Sequence, residues 1–509
     1  MEKKPVTRRD FIKLVGMTAG ASVLSACAPQ TVEVVKTQVV KETEIVEKVV
    51  KETEIVEKEV EVEKVVTATP LPTEPPEPVV LDVWWNTDIP DFSVLEKWAA
   101  DPNNEVFQKM WYWGGLAREL YLPWMEKHPG VTVKVTSHSW DWDLRQNQLM
   151  ALAAGIVPDV TYGEAYVNEF VQLGVFAPVS DAAAQLFPEG TTAGAFVDGK
   201  TYGLPMSSGA DVLFINLDKY AEAGLDPNKL PTTWDELVAA CEAISKINKS
   251  DKWGNTCYYT YGPDPNTYGT AMRILHWFNQ KGCPLGSNLG VPSANAPGAA
   301  ETWEFHNKLL WTSTESLILQ AESEAGSGQL FNDGVIAIKP GWNNDATSVG
   351  AGNINGTAIE FPLPPGGKPA TIVIGNQINS PLKGGKNPEL AITFVEETLT
   401  AENVQVFLAD NAGIWIPALK SLLEGWETYD KLGGYKTETA KKIVRITMKA
   451  LLQGGAGPLP GWPKNGSRIW AEWNNTYLRI WKGKLSLEDI QKELDALQAT
   501  LEGLVRKTG

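Results

Sequence analysis

The sequence predicts a two-lobed α/β protein, and three observations carry that expectation. From residue 79 onward, short apolar runs alternate with amphipathic stretches of helical period, the pattern of strands joined by helices. The roughly 430 residues of this region exceed what one ordinary core holds and suit two lobes. Ser207-Ser208-Gly209-Ala210 is a set of small residues between two apolar runs. It offers a crossing point from one lobe to the other, with Ser208 and Gly209 as the expected hinge.

The chain begins with an address. Thr7-Arg8-Arg9-Asp10-Phe11-Ile12-Lys13 resembles a twin-arginine export signal, with Arg8 and Arg9 as its signature, and an apolar stretch follows from Leu14 to Ala26. That stretch is shorter than the ~20 apolar residues of a permanent membrane span. Leu24-Ser25-Ala26-Cys27 resembles the lipobox of bacterial lipoproteins, which implies cleavage after residue 26 and lipidation of Cys27. Residues 27–78 read as a lipid-anchored, low-complexity stalk. KETEIVEKVV at 41–50 is nearly repeated at 51–60, and Val35, Val39, Val46, Val49, Val56 and Val60 fall at heptad-like steps. Because Glu42, Thr53 and Glu63 occupy seam positions, the favoured reading is a solvated spacer, Pro-rich toward its end. A tether of ~50 residues has an r.m.s. span of roughly 40 Å.

Val79–Trp85 is the first strand, with Asn86, Thr87 and Asp88 at its C-terminal edge, where open α/β sheets bind ligands. A helix is expected over 116–127, a strand over 131–136 and a helix over 144–154. The stretch 153–180 then passes from a glycine-ended helix to a Pro-Asp strand start. Val212–Ile215 reads as a buried strand, and Pro231-Thr232-Thr233-Trp234-Asp235-Glu236 as a capped helix start with acids in its first turn. A helix to Asn248, a strand over 256–261, a turn-rich loop over 262–269 and a helix over 270–280 follow. The segment 387–400 is an amphipathic helix, and further helices end the chain.

GKTYGLPM at 199–206, the strand ending at Asn216 and PTTWDEL at 231–237 resemble bacterial extracellular solute-binding proteins of family 1, the group containing the maltose-binding protein. GQLFNDGVIAIKPGW at 328–342 resembles the family's return strand, and the resemblance covers essentially all of 79–509. It implies a periplasmic-binding-protein-like (type II) α/β fold with a hinge. Lobe 1 is expected at about 79–208 and 343–378, lobe 2 at about 209–342 and 379–509. The segment 91–113 looks like an insertion relative to shorter members, its Trp111-Tyr112-Trp113 serving either the cleft wall or a helix packing face.

By the same resemblance the ligand-binding set is Trp85, Asn86, Asp88, Tyr162, Glu164, Tyr166, Tyr268, Trp342, Asn343, Asp345, Trp415 and Trp462. Trp342 is matched to the stacking floor, and Glu164 is the best single polar contact. A sugar presents apolar C–H faces and a rim of hydroxyls, which indoles and carboxylates or amides respectively suit. The implied activity is capture of a mono- or oligosaccharide by a monomeric clamp that delivers it to ABC permease subunits, anchored to the membrane through Cys27.

Composition narrows the alternatives. A net charge of −17 argues against a nucleic-acid partner. Twenty tryptophans suggest cleft platforms in addition to core filling, with four to six expected in the cleft. Cys241, Cys257 and Cys283 leave one thiol over in any pairing, and their connectivity is open. With no Cys-x-x-Cys and no His pair at metal spacing, neither metal nor cofactor is expected. Three rivals share the acids and indoles: a polyamine or other polar-solute binder, an exported carbohydrate-active enzyme and a tethered sensor. No carboxylate pair or G-x-S-x-G marks the enzyme.

Overall fold

The computed structural model describes residues 79–85, 120–138, 141–163, 167–260, 274–283 and 293–506, the last range with breaks at 325, 352–353, 375–376, 408, 411–412, 414, 454–455 and 458–465. In chain order the strands of its two main sheets are β1 Val79–Trp85, β2 Val131–Ser137, β3 Val160–Gly163, β4 Leu204–Pro205, β5 Gly209–Asn216, β6 Ile338–Trp342, β7 Gly356–Ile359, β8 Thr371–Ile374, β9 Ile378–Pro381 and β10 Ala456–Gly457. The N-terminal address and stalk, with Arg8, Arg9 and Cys27, lie outside the described residues, as does the 91–113 segment.

The first sheet has the order β2-β1-β3-β9-β4. β1 runs parallel to β2 over its whole length, from Val79↔Val131 to Trp85↔Ser137, and parallel to β3 at Val83↔Val160. β9 closes antiparallel on β3, and β4 antiparallel on β9. Leu81, Val83, Val133, Val160, Tyr162 and Leu204 face a core completed by Trp124, Phe394, Val395, Leu399 and Phe407. A smaller cluster holds Phe170, Phe176, Ile378 and Leu382.

The second sheet is built on β5, whose eight residues are all buried. β6 lies antiparallel along one edge, from Ile338↔Ile215 to Trp342↔Asp211. β7 and β8 share the other edge, at Gly356↔Asn216 and Val373↔Ala210, and β10 extends β8 in parallel. Asn216 ends β5 and caps the next helix, its Oδ1 accepting the amides of Asp218 and Lys219 at 3.1 Å each.

The helix α1, Trp234–Ile247, starts with a full capping box: Thr233 Oγ1 accepts the Glu236 amide while the Glu236 carboxylate accepts the Thr233 amide. Together with α2 (Glu438–Leu452), α3 (Gly466–Gly483) and α4 (Leu487–Arg506) it supplies the second core. Aromatic packing dominates there. Trp234 stacks on Phe305 at 3.9 Å, and Trp303 lies against Trp473, Phe278 and Tyr477. The expected strand over 256–261 is reduced, among the described residues, to single bridges at Thr256↔Ser313 and Tyr258↔Ile338.

The chain passes between sheets at residues 206–208, where the small residues sit. There the Met206 amide donates to the Gln377 carbonyl at 3.2 Å, and Ser208 and Ile416 exchange backbone bonds at 2.9 and 3.0 Å. It passes again between β8 and β9, and the segment from Phe407 to Leu423 runs along the border of the two cores, with Phe407, Trp415 and Leu419 in the first and Ala409, Ile416 and Leu423 in the second. These crossings correct the lobe boundaries expected from the sequence. β7 and β8 pair with β5, so residues 356–374 belong to the second sheet. β9 belongs to the first sheet, and Ala391, Phe394, Phe407, Trp415 and Leu419 to its core, while Ala409 and Ile416 between them reach into the second. The physical reason is that β5 has two edges to satisfy, and β6 covers only one of them.

Candidate functional site

β1 and β3 end side by side, and their C-terminal edge is where a doubly connected α/β sheet leaves room for a ligand. Trp85 closes β1 and Tyr162 lies near the end of β3, with ring centroids 5.6 Å apart and tilted by 48°. Both side chains are buried, at 2% and 1% exposure, so in this state they serve as packing beneath the edge rather than as open platforms. Trp84, pointing to the opposite face, stacks on His138 at 3.8 Å.

The second sheet contributes the end of β6. Lys339 and Gly341 precede Trp342, and a Cβ at Gly341 would lie 2.3 Å from Asp345 Oδ2 and 2.9 Å from the Phe214 ring. Glycine is therefore required for Asp345 to fold back on the strand. Trp342 is half-buried and packs against the first core. Its indole meets that of Trp415 at 4.7 Å with a 54° tilt. Trp342 comes from the second sheet and Trp415 from the first core, so the pair joins the two lobes.

Behind this pair lies a buried polar chain. Asn343 Nδ2 donates to Tyr435 Oη at 3.2 Å, and Tyr435 Oη donates to the Trp415 carbonyl at 3.3 Å. Burial pushes the Tyr435 hydroxyl well above the ordinary tyrosine range and keeps it a donor. Gly413, at φ +64°, permits the close approach that builds the chain: a Cβ there would come within 2.5 Å of the Gly434 carbonyl. Thr347 Oγ1 donates to the Gly413 carbonyl at 2.8 Å.

Asp345 is placed beside Trp342, as the sequence suggests, but its carboxylate is engaged. Lys339 Nζ holds Asp345 Oδ2 at 2.9 Å, with the two side chains 3% and 19% exposed. The pair is locally neutral, and the ammonium also lies 5.7 Å from the Phe214 ring. Thus Trp342, Asn343, Asp345 and Trp415 come together, while Trp85 and Tyr162 form a second group at the first sheet's edge. Asn86, Asp88, Glu164, Tyr166, Tyr268 and Trp462 lie outside the described residues. Sequence reasoning missed Lys339 and Tyr435. A lysine inside the apolar run IAIKPGW is an out-of-pattern charge that could have flagged the ion pair; Tyr435 carries no comparable local signal.

Among the described residues no group of three or more His, Cys, Asp or Glu is placed to hold a metal ion. Nor is any described helix long and apolar enough to cross a membrane.

Residues 120–437 match the family model described as bacterial extracellular solute-binding protein. A Brucella abortus (strain 2308) protein named as a binding protein is 25% identical over 189 residues, 36% of this chain and 44% of that protein. An arabinooligosaccharide-binding protein of Bacillus subtilis (strain 168) is 27% identical over 161 residues, 29% of this chain and 37% of that protein. The chain thus spans under half the length of these curated relatives. Among solved structures, the cyclic alpha-maltosyl-1,6-maltose binding protein from Arthrobacter globiformis superimposes with a TM-score of 0.62 at 18% identity, covering 84% of this chain and all of that one. That likeness shows a shared two-lobed fold.

Proposed function

Since the chain belongs to the bacterial extracellular solute-binding proteins, which act outside the cytoplasm, we propose that it captures a carbohydrate between its two lobes and delivers it to the permease subunits of an ABC importer. The observation that carries this reading is the Trp342–Trp415 pair, indoles from different lobes 4.7 Å apart. Indole faces pack against the C–H faces of a sugar, and the amide and hydroxyl groups beside them suit its rim. The binding of arabinooligosaccharide and of cyclic maltosyl-maltose by the relatives named above supports the same class of solute. A ligand shifts the lobes only by what it gains in one arrangement over another, so a solute touching both indoles would favour the approach of the lobes.

The neutral Lys339–Asp345 pair favours a hydroxyl-rich solute over a polyamine, because the carboxylate beside the indoles already has its cation. In this reading the protein is a monomer without catalytic activity, cofactor or resident metal. It is held at the membrane by a lipid on Cys27. Asn86, Asp88, Glu164, Tyr166, Tyr268 and Trp462 complete the proposed contact set.

A thermal-shift screen over mono- and oligosaccharides tests the proposal. A ligand at 100 times its dissociation constant stabilises by about 2.7 kcal/mol. Trp342→Ala is expected to abolish that shift while leaving the unliganded melting point close to wild type. A polyamine shift with no sugar response, or a sugar shift that survives Trp342→Ala, overturns it.

A further inference from the structure

The indoles of Trp342 and Trp415 lie 4.7 Å apart, and one hydroxyl stands behind both. Tyr435 Oη donates to the carbonyl of Trp415 at 3.3 Å and accepts from the side-chain amide of Asn343, the residue after Trp342, at 3.2 Å. A single oxygen therefore links the backbone of one indole to the immediate neighbour of the other. The tyrosine is itself fixed. Its ring is fully buried in the second core, and its amide closes a turn by donating to the Leu432 carbonyl at 2.9 Å. That turn presses on the segment carrying Trp415: the Gly434 amide donates to the Ala409 carbonyl at 3.2 Å, and a Cβ on Gly434 would overlap the Gly413 nitrogen.

On either side of Trp415 the chain has separate fastenings. Thr347 Oγ1, from the helix Asp345–Ala351, donates to the Gly413 carbonyl at 2.8 Å, and Ile416 exchanges backbone bonds with Ser208. The Trp415 side chain packs in the first core, whereas Trp342 arrives at the end of β6 in the second sheet. Neither core by itself sets the spacing of two rings delivered by different sheets. A bond that reaches both does.

We infer that Tyr435 is a positioning residue: its hydroxyl sets the spacing and tilt of the Trp342 and Trp415 indoles, and so decides whether both rings can face one solute. In this role Tyr435 touches no solute and acts through Asn343 and Trp415. Burial holds the hydroxyl in its protonated form, so it remains a donor to the Trp415 carbonyl. Deleting the oxygen takes a partner from a buried amide and a buried carbonyl at once, and each then gains by shifting toward another. The two indoles lose their common reference point. The consequence for a solute rests on the carbohydrate reading above; the placement of the rings does not.

The test is Tyr435→Phe in the full chain, which keeps the buried ring and removes the oxygen. Tryptophan is replaced by fluorotryptophan during expression, and the fluorine NMR signal of Trp342 is identified as the one missing from Trp342→Phe. A neighbouring indole shifts such a signal through its ring current, which depends steeply on distance and angle. The Trp342 signal is expected to move in Tyr435→Phe and to stay in place in Thr233→Ala, which weakens the α1 cap without touching either indole. An unmoved signal in Tyr435→Phe, or an equal movement in Thr233→Ala, overturns the inference. Titration calorimetry with maltotriose and arabinotriose should then show roughly tenfold weaker binding by Tyr435→Phe of whichever sugar the wild type binds. Wild-type affinity despite a displaced signal overturns the role in binding. A displaced signal in a chain whose wild type binds neither sugar supports the positioning and counts against the carbohydrate reading instead.

Discussion

The two lobes hold themselves together differently. In the first, buried polar side chains clip together segments far apart in sequence. Asp159 accepts the amides of Asp82 at 2.9 Å and Asn387 at 2.7 Å, joining β1, the start of β3 and the helix Pro388–Leu399. Gln405 donates to the carbonyls of Pro205 and Leu399 and accepts the Ala418 amide at 2.8 Å. The second lobe is closed by aromatic area: Phe278, Trp303, Trp473 and Tyr477 interlock where the 209–374 portion meets the C-terminal helices. There the His306 ring, the Asn307 side-chain amide and the Trp303 indole N–H are buried without hydrogen-bond partners in the protein. Directional bonds specify the joint where short strands meet in pieces; where long helices supply apolar surface, packing carries more of the closure.

The sharpest break in this contrast is Trp303→Ala. It empties the middle of the aromatic interlock and should cost about 3–5 kcal/mol in urea unfolding, with the first lobe's transition least affected if the lobes unfold separately. Asp159→Ala removes one carboxylate and leaves two part-buried amides without their acceptor, an expected loss of about 2 kcal/mol. Asp159→Asn, which keeps one acceptor oxygen, should lose less.

His306 sharpens the comparison through pH. Burial alone holds its pKa down at about 3, against 6.5 for the free side chain, and its ring faces Tyr258 and Tyr477. The unfolded chain therefore takes up the proton first as pH falls. This contribution to stability is complete above about pH 6.5 and is lost toward pH 3, at up to about 1.4 kcal/mol per pH unit. His306→Leu should flatten the measured slope in that window; an unchanged slope would place the acid sensitivity elsewhere. The smallest effect expected is from Thr233→Ala, about 1 kcal/mol for loss of the α1 cap bond. Thr233→Ser should restore it.

Much of the local structure was legible. The residues Val79–Trp85, Val131–Thr136, Val212–Ile215 and Pro388–Leu399 lie within the strands and helices their periods predict, and the capping box at Thr233 is formed by the residues that signal it. The tryptophan surplus was harder to apportion, because an indole suits a core and a cleft equally well. Trp277, Trp303 and Trp473 turn out to be fully buried core, and Trp85 and Tyr162 are packed beneath the first sheet's edge. Asp345 follows Trp342 closely in sequence, yet its partner Lys339 became visible only when β6 brought the two together.

The sequence by itself determined which stretches would be strands and helices and which family it resembles, since periodicity, caps and small residues act over a few neighbours. Tertiary structure alone decided that β7 and β8 complete the sheet of β5 and that Trp342 meets Trp415. Those outcomes depend on which strand edges and apolar faces remain uncovered, a competition among segments hundreds of residues apart that no local pattern records.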